Sequence, residues 1–234
     1  MGVVLHDVIL QDAHNLHKYH RESCLRSISL WFAAVLSSLV LAGPALSQSR
    51  GGADSLMLFG GWASDTNFAE ILIMPWTADM VNIGVVGASY SHRLGSVSQL
   101  VGNVLPAHIG DYLTLEAEGG TSFRFGDEKL GEAWTALYIR YDNLPWKDTV
   151  FTTVGFNTGL SLLSDSSEFE QGRDSKGKGS KLLHYLGPEI TLADPGNKDM
   201  ELVFRLHHRS GVFGMFDGTV SGSTFLSSGI RIRF

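Results

Sequence analysis

The chain has a single cysteine, Cys24, in 234 residues. One thiol makes no disulfide framework and leaves no cysteine cluster for a metal. Charge is sparse too: Asp, Glu, Lys and Arg are 18% of the residues, with a net charge of -6. A mildly acidic chain lacks the electrostatic footprint of a nucleic-acid binder, so nucleic acid is not an expected partner. There is no phosphate-cradling glycine loop, zinc motif or dinucleotide fingerprint. Neither a cofactor nor a metal is therefore expected. Beyond Gln48 no apolar run reaches the ~18 residues of a membrane-spanning helix. What is abundant is glycine, at 27 residues, beside a moderate 10% of aromatics, a mix that suits a β-rich protein.

The only long greasy stretch lies near the start. Arg26 to Gln48 reads RSISLWFAAVLSSLVLAGPALSQ. Arg26 supplies positive charge, Leu30 to Ala42 is apolar apart from two serines, and Gly43 and Pro44 end the helix. Ala45-Leu46-Ser47 places small residues on alternate positions ahead of a cut before Gln48. This is the plan of a secretory signal peptide. As an anchor the run falls short of the ~20 residues a span needs. Residues 1–47 are thus read as an N-terminal extension plus signal peptide, and 48–234 as one exported domain. His6, His14, His17 and His20 show no partner ligands and would leave with the leader.

Eight candidate strands follow: Ser55–Ser64, Met80–His92, Gly110–Phe125, Leu130–Tyr141, Thr149–Leu163, Lys181–Leu192, Met200–Ser210 and Thr224–Phe234. Met200–Ser210 has the clearest period of two. Met200, Leu202, Phe204, Leu206, His208 and Ser210 share one face; Glu201, Val203, Arg205, His207 and Arg209 share the other. Glu116, Glu118, Arg124, Arg140, Glu189, Arg231 and Arg233 likewise stand opposite the apolar residues of their strands. In a soluble sandwich these charges would face water. In a small barrel they would fill the lumen, where each buried ion costs several kcal/mol unless paired.

The connections favour a barrel. Asp142–Asp148 and Ala193–Asp199 are short turns, whereas Ser164–Ser180 and Gly211–Ser223 are long polar loops, and outer-membrane barrels segregate the two on opposite rims. One connection, Arg93–Ile109, is long where parity expects a short turn. The strands suit the ~25 Å apolar band of such barrels, and the last strand alternates strictly to a terminal Phe234, the ending that barrel-assembly machinery reads. The expected fold is all-β: an eight-stranded antiparallel up-and-down transmembrane β-barrel after a cleaved signal peptide, in a Gram-negative outer membrane among its lipids.

Several residues have structural readings. His207 and Arg209 are expected to pair in the lumen with Glu189 or Glu201. Pro188 marks a bulge or an unpaired N–H in the sixth strand. His184 is read as interfacial, able to support His208 if the strands pair in register. Trp62, Trp76, Trp134 and Trp146 suit an aromatic girdle. The charged loop 165–181 is read as solvated, with Arg173, Lys176, Lys178 and Lys181 as an alternative phosphate contact.

His208 and Ser210 end an apolar face and, if the chain starts in the periplasm, stand at the outer leaflet. An unpartnered polar group in hydrocarbon costs ~2 kcal/mol or more, so the pair needs partners. The run R-x-H-H-R-S, the glycine-rich loop after it, the signal peptide, the strand inventory and the terminal Phe together resemble outer-membrane lipid A 3-O-deacylases and the acyloxyacyl-hydrolase-like group. The resemblance covers the mature domain in plan, with His208-Arg209-Ser210 as its specific motif. It implies Ser210 as nucleophile and His208 as general base, lipid A of lipopolysaccharide as substrate, and a lipid-facing site. Where the family has Asn after the serine this chain has Gly211, which leaves backbone N–H donors for the oxyanion. Where the family has an acid about a dozen positions on, this chain reads Val220-Ser221-Gly222-Ser223-Thr224. Asp217 is the nearest acid, with Glu168 or Glu170 as alternatives. The competing reading is a non-catalytic barrel with a structural or adhesive role; a small pore is a weaker third.

Overall fold

The computed structural model describes residues 52–234 except residue 103. The leader, its cut before Gln48, the four N-terminal histidines and Cys24 lie outside the described residues. The strands are β1 (Asp54–Ser64), β2 (Met80–Ser96), β3 (Leu113–Gly126), β4 (Gly131–Tyr141), β5 (Phe151–Leu163), β6 (Leu182–Leu186), β7 (Glu189–Asp194), β8 (Asn197–Ser210) and β9 (Thr224–Arg233). Each pairs antiparallel with its neighbour. β6 and β7 share the gap between β5 and β8 and so form one stave, making a ring of eight. β1 closes on β9 from Ser55↔Arg233 to Ser64↔Thr224 without a shift. Closure leaves no sheet edge among the described residues to template association.

The sixth stave is broken at Gly187-Pro188, yet its register holds. Leu186 faces Thr158 and Glu189 faces Gly155 on β5, while the same two residues face His208 and Arg205 on β8. Both sides advance equally, so there is no bulge. The break is the lost N–H of proline, and the Pro188 carbonyl still accepts from Leu206 N–H at 3.0 Å. The turn after β7 is tighter than the expected Ala193–Asp199, because Asp194 and Asn197 already pair and Asp194 Oδ1 accepts Gly196 N–H at 2.6 Å. The long connection after β2 is real. β2 runs on to Ser96, then come α1 (Val97–Val101) and α2 (Ala107–Gly110). Ser96 and Gln99 form a reciprocal cap, 3.2 Å and 3.0 Å, so the chain turns helical instead of reversing at once.

The wall is apolar outside and ionic within. β4 alternates buried Glu132, Trp134, Ala136, Tyr138 and Arg140 with exposed Ala133, Thr135, Leu137 and Ile139. Leu58 is 69% exposed, while the largest fully buried side chains are Arg124, Arg140, Arg205, Arg209 and Arg231. An isolated buried guanidinium costs several kcal/mol, so each must be paired. Arg205 forks onto Glu118 at 2.8 Å through both terminal nitrogens and reaches Glu189. Arg231 joins Glu189 and Glu201. Arg233 bridges Glu201 and Glu116, and Arg140 joins Glu116 and Glu189.

Above that ionic layer sits an aromatic one, in which His207 packs among Phe59, Trp134, Tyr185 and Phe225. Trp134 is therefore interior, not part of a girdle; its indole donates to Glu118 at 3.1 Å. Trp76 and Trp146 are exposed, one in the β1–β2 loop and one in the β4–β5 turn at the other rim.

A second ionic layer lies near the rim opposite the termini. His207 meets Glu132 at 2.8 Å, and Arg209 meets both oxygens of Glu170 at 2.7 and 2.8 Å. The expected partners, Glu189 and Glu201, belong to the other layer. Glu201 is six positions below His207 on the same strand, or ~20 Å at the rise of a strand, so the two cannot meet. Glu170 comes from α3 (Glu168–Arg173), which turns into the mouth, and there it also accepts from Arg124 and Ser223. The β5–β6 loop is thus partly a plug, not simply solvated: Ser167, Glu170 and Asp174 are buried.

Candidate functional site

The alternation of β8 puts His208 and Ser210 on the outward face and Arg209 between them inside. Both lie at the rim opposite the termini. His208 Nδ1 is 2.8 Å from Thr224 Oγ1, its register partner on β9. Thr224 has outward parity yet is 2% exposed, so something covers it. Beside it lies α4 (Phe68–Ile73) of the β1–β2 loop. Phe68 stacks on the His208 ring, centroids 4.2 Å apart and planes 21° apart. The same loop holds Ile71 buried and leaves Leu72, Ile73, Met74 and Trp76 exposed. Stacking on an aromatic face removes apolar ring surface from solvent and fixes the imidazole plane.

Ser210 Oγ accepts the Val212 N–H at 3.1 Å. Its register partner on β6 is His184, whose Nε2 is 2.8 Å from Thr158 Oγ1 on β5. The outer wall thus carries a polar row, Thr158, His184, Ser210, His208 and Thr224, across β5, β6, β8 and β9. Among the described residues no hydrogen bond joins His208 to Ser210, and no carboxylate bonds the His208 ring.

The acids named from sequence stand elsewhere. Asp217 is exposed in the β8–β9 loop with φ 54° and forms no hydrogen bond or ion pair with His208 among the described residues. Glu170 is committed inside the mouth to Arg209 and Arg124, and Glu168 is exposed. The Gly211 N–H is also engaged, donating to the Ser221 carbonyl at 3.0 Å. The backbone donor beside Ser210 Oγ is that of Val212, so the oxyanion role assigned to Gly211 does not fit this arrangement.

Neither position 211 nor position 222 has room for a side chain. A Cβ on Gly211 would stand 1.9 Å from the Thr219 carbonyl oxygen, and one on Gly222 would stand 1.7 Å from that of Arg209. Both positions allow only backbone approach. The loop between them is bent hard: Val212 and Phe213 have φ 47° and 57°, a region a β-branched residue rarely occupies. Phe213 and Met215 point into the surroundings at its tip. The loop is tied down from the side by Asp174, whose carboxylate accepts Val220 N–H at 2.7 Å and Ser221 N–H at 3.2 Å. Chiefly the Val220 bond, with those of Lys176, Lys178 and Ser221, holds the Asp174 carboxyl at about 2, below its ordinary range.

Sequence reasoning missed Thr224, Thr158 and Phe68. Thr224 lay inside the window read for an acid; only the cross-strand register puts its hydroxyl on the imidazole.

An ionic lumen, an apolar wall and eight antiparallel staves define the class of a small closed β-barrel. No family model and no curated protein matches the chain. Solved structures similar to it include the outer membrane enzyme PagL, at TM-score 0.51 and 13% identity over 77% of this chain and 99% of that one. Neisserial surface protein A (NspA) aligns at 0.45 and 13%, over 80% and 100%. Ail, the attachment invasion locus protein of Yersinia pestis, aligns at 0.31 and 11%, over 77% and 99%. The PagL likeness shows the fold, an eight-stranded antiparallel barrel.

Proposed function

We propose that this chain is an outer-membrane esterase that works from the lipid-facing wall of its barrel, removing an ester-linked acyl chain from lipid A by 3-O-deacylation. Ser210 is the nucleophile and His208 its base. The observation that carries the reading is the Thr224 hydroxyl on His208 Nδ1. When that hydroxyl accepts from Nδ1–H, Nε2 is left unprotonated and the ring is held in place, which is the service an acid gives in a triad. His208 and Ser210 share the outward face two positions apart on β8, and the proton transfer requires the Ser210 hydroxyl to leave the Val212 N–H and turn to that nitrogen.

Ser210 Oγ then attacks the ester carbonyl while its proton passes to His208 Nε2. The Val212 N–H is the nearest backbone donor for the oxyanion. Collapse releases the sugar hydroxyl, which takes the proton back from His208, and leaves acyl-Ser210. Water, deprotonated by His208, frees the fatty acid. No cofactor takes part. The apolar wall sets acyl chains beside the serine, and lipopolysaccharide is the amphiphile whose esters lie at the outer leaflet. The terminal strand to Phe234 would engage the barrel-assembly machinery.

The test is the lipid A mass spectrum of Gram-negative cells with and without the gene. Loss of one 3-hydroxyacyl chain with the wild type, and no loss with Ser210→Ala, supports the reading. That no carboxylate bonds His208 among the described residues favours one alternative, a barrel with a structural or adhesive role; an unchanged spectrum with well-folded protein would establish it.

A further inference from the structure

Ser210 is flanked by two imidazoles, not one. His208 precedes it by two positions on β8, and His184 stands directly across from it on β6. Directly opposed residues of an antiparallel pair have Cβ atoms ~4.5–5.5 Å apart on one face, so His184 and Ser210 are closer neighbours than any other outward pair involving the serine. The break at Gly187-Pro188 does not disturb this, because the register is unshifted on both sides of it. His184 is half-buried and is held from its far side by Thr158 at 2.8 Å. The arrangement mirrors that of His208 and Thr224: each ring is pinned by a threonine hydroxyl on the flanking strand, and the serine lies between.

Two pinned rings need different tasks. On the esterase reading above, on which this inference rests, one base suffices, while the oxyanion has only the Val212 N–H, since that of Gly211 is spent on Ser221. We propose that His184 is a second catalytic residue, donating its Nδ1–H to the oxyanion formed when Ser210 attacks the ester. The role requires the Thr158 hydroxyl, 2.8 Å from Nε2, to act as the donor there, which leaves the hydrogen of the neutral ring on Nδ1. Attack opens the carbonyl π bond, and the electron pair moves to the oxygen that Nδ1–H meets. Collapse restores the carbonyl and expels the sugar oxygen, which takes its proton from His208; His184 lends a hydrogen bond and transfers no proton. A donor aimed at developing charge in a water-poor site contributes ~10²–10³ in kcat. This assigns the site to ester carbonyls presented from the bilayer side, between β6 and β8.

The experiment uses the purified full barrel in detergent micelles with lipid A as substrate, comparing wild type, His184→Ala, His184→Gln, Thr158→Val, His208→Ala and Ser210→Ala. Retention of the compact, heat-modifiable band on gels reports folding of each variant. The expected result is a kcat ~100-fold lower for His184→Ala with KM unchanged. His184→Gln, which keeps an N–H donor, should recover a good part of it, and Thr158→Val should fall between. If Ser210→Ala is inactive while folded His184→Ala matches wild type, this proposal is overturned and the Ser210 reading stands. The same holds if His184→Gln is as dead as His184→Ala while His208→Ala stays active, since His184 would then be the base. Should Ser210→Ala retain activity, the esterase site itself is wrong. If His184→Ala fails to fold, His184→Gln and Thr158→Val decide: wild-type rates in both would sink the donor role.

Discussion

His208 Nδ1 and Thr224 Oγ1 are 2.8 Å apart, on residues that face each other across β8 and β9. A hydroxyl thus stands where an acid would orient the ring. A hydroxyl carries no charge and can donate or accept, so it orients the ring without stabilising an imidazolium. Thr224→Val should lower the deacylation rate ~100-fold, and Thr224→Ser should keep most of it. Initial rates on lipid A in micelles check this; equal rates for Val and Thr would remove the threonine from the mechanism.

The glycines at 211 and 222 leave no room for a side chain. Gly222→Glu puts an acid in the expected stretch, but its Cβ meets the Arg209 carbonyl oxygen at 1.7 Å. It should lower the unfolding midpoint and bring no gain in activity, and Gly211→Asn should behave the same way. A Gly222→Glu protein that is both stable and faster would show that the loop re-forms around an acid.

Glu170 holds two buried arginines at the mouth, Arg209 and Arg124. Removing one partner of a buried ion pair costs ~3–5 kcal/mol. Glu170→Ala should therefore lower the heat-unfolding midpoint in detergent sharply, whereas Glu168→Ala, on the exposed side of the same helix, should leave it in place. A solvated loop would make the two variants equal.

Asp174 ties the β5–β6 loop to the β8–β9 loop. Its folded carboxyl titrates at about 2, below the ~3.9 of an unfolded Asp. The tie is therefore complete above ~3.9 and is lost as pH falls through about 2. Amide exchange at Val220 and Ser221 should be slow from neutral pH to mild acid and gain an acid-triggered opening below that range. Asp174→Asn should weaken protection at neutral pH and abolish the acid step. An acid opening that survives in Asp174→Asn would place the titrating group elsewhere.

The outward leucines distinguish a lipid-facing wall from a solvated one. Arginine at a lipid-facing position costs ~2–4 kcal/mol at the bilayer midplane, while an exposed site in water tolerates such a change within ~0.5 kcal/mol. Leu137→Arg, on β4, should lower the urea midpoint of the barrel in vesicles, and Ala133→Arg, near the end of the strand, should do so less. Equal, negligible effects would argue against a membrane setting.

The wall was legible because a strand has a period of two: Glu201 to Ser210 sort into lumen and exterior by parity alone, and the structure keeps that sorting. Pairing partners were not legible. Which glutamate meets Arg209 depends on height in the barrel and on α3 folding back into the mouth, neither of which leaves a mark in β8. Pro188 was readable as a missing donor, and the unshifted register beside it was not. The serine–histidine spacing could be read, but its supports could not. Thr224, Thr158 and Phe68 become neighbours of the two imidazoles only through register and a loop that folds down the outer wall, and Asp217, near in sequence, forms no bond with His208 among the described residues.

An activated Ser210 on the lipid side of the barrel should react with a serine-directed probe. A long-chain alkyl fluorophosphonate, presented in micelles to the folded protein, tests it most directly by intact-mass and peptide mass spectrometry. One adduct is expected, on the peptide carrying Ser210, absent in Ser210→Ala and strongly reduced in His208→Ala. No adduct on folded wild-type protein, or equal labelling of Ser210→Ala, would contradict it.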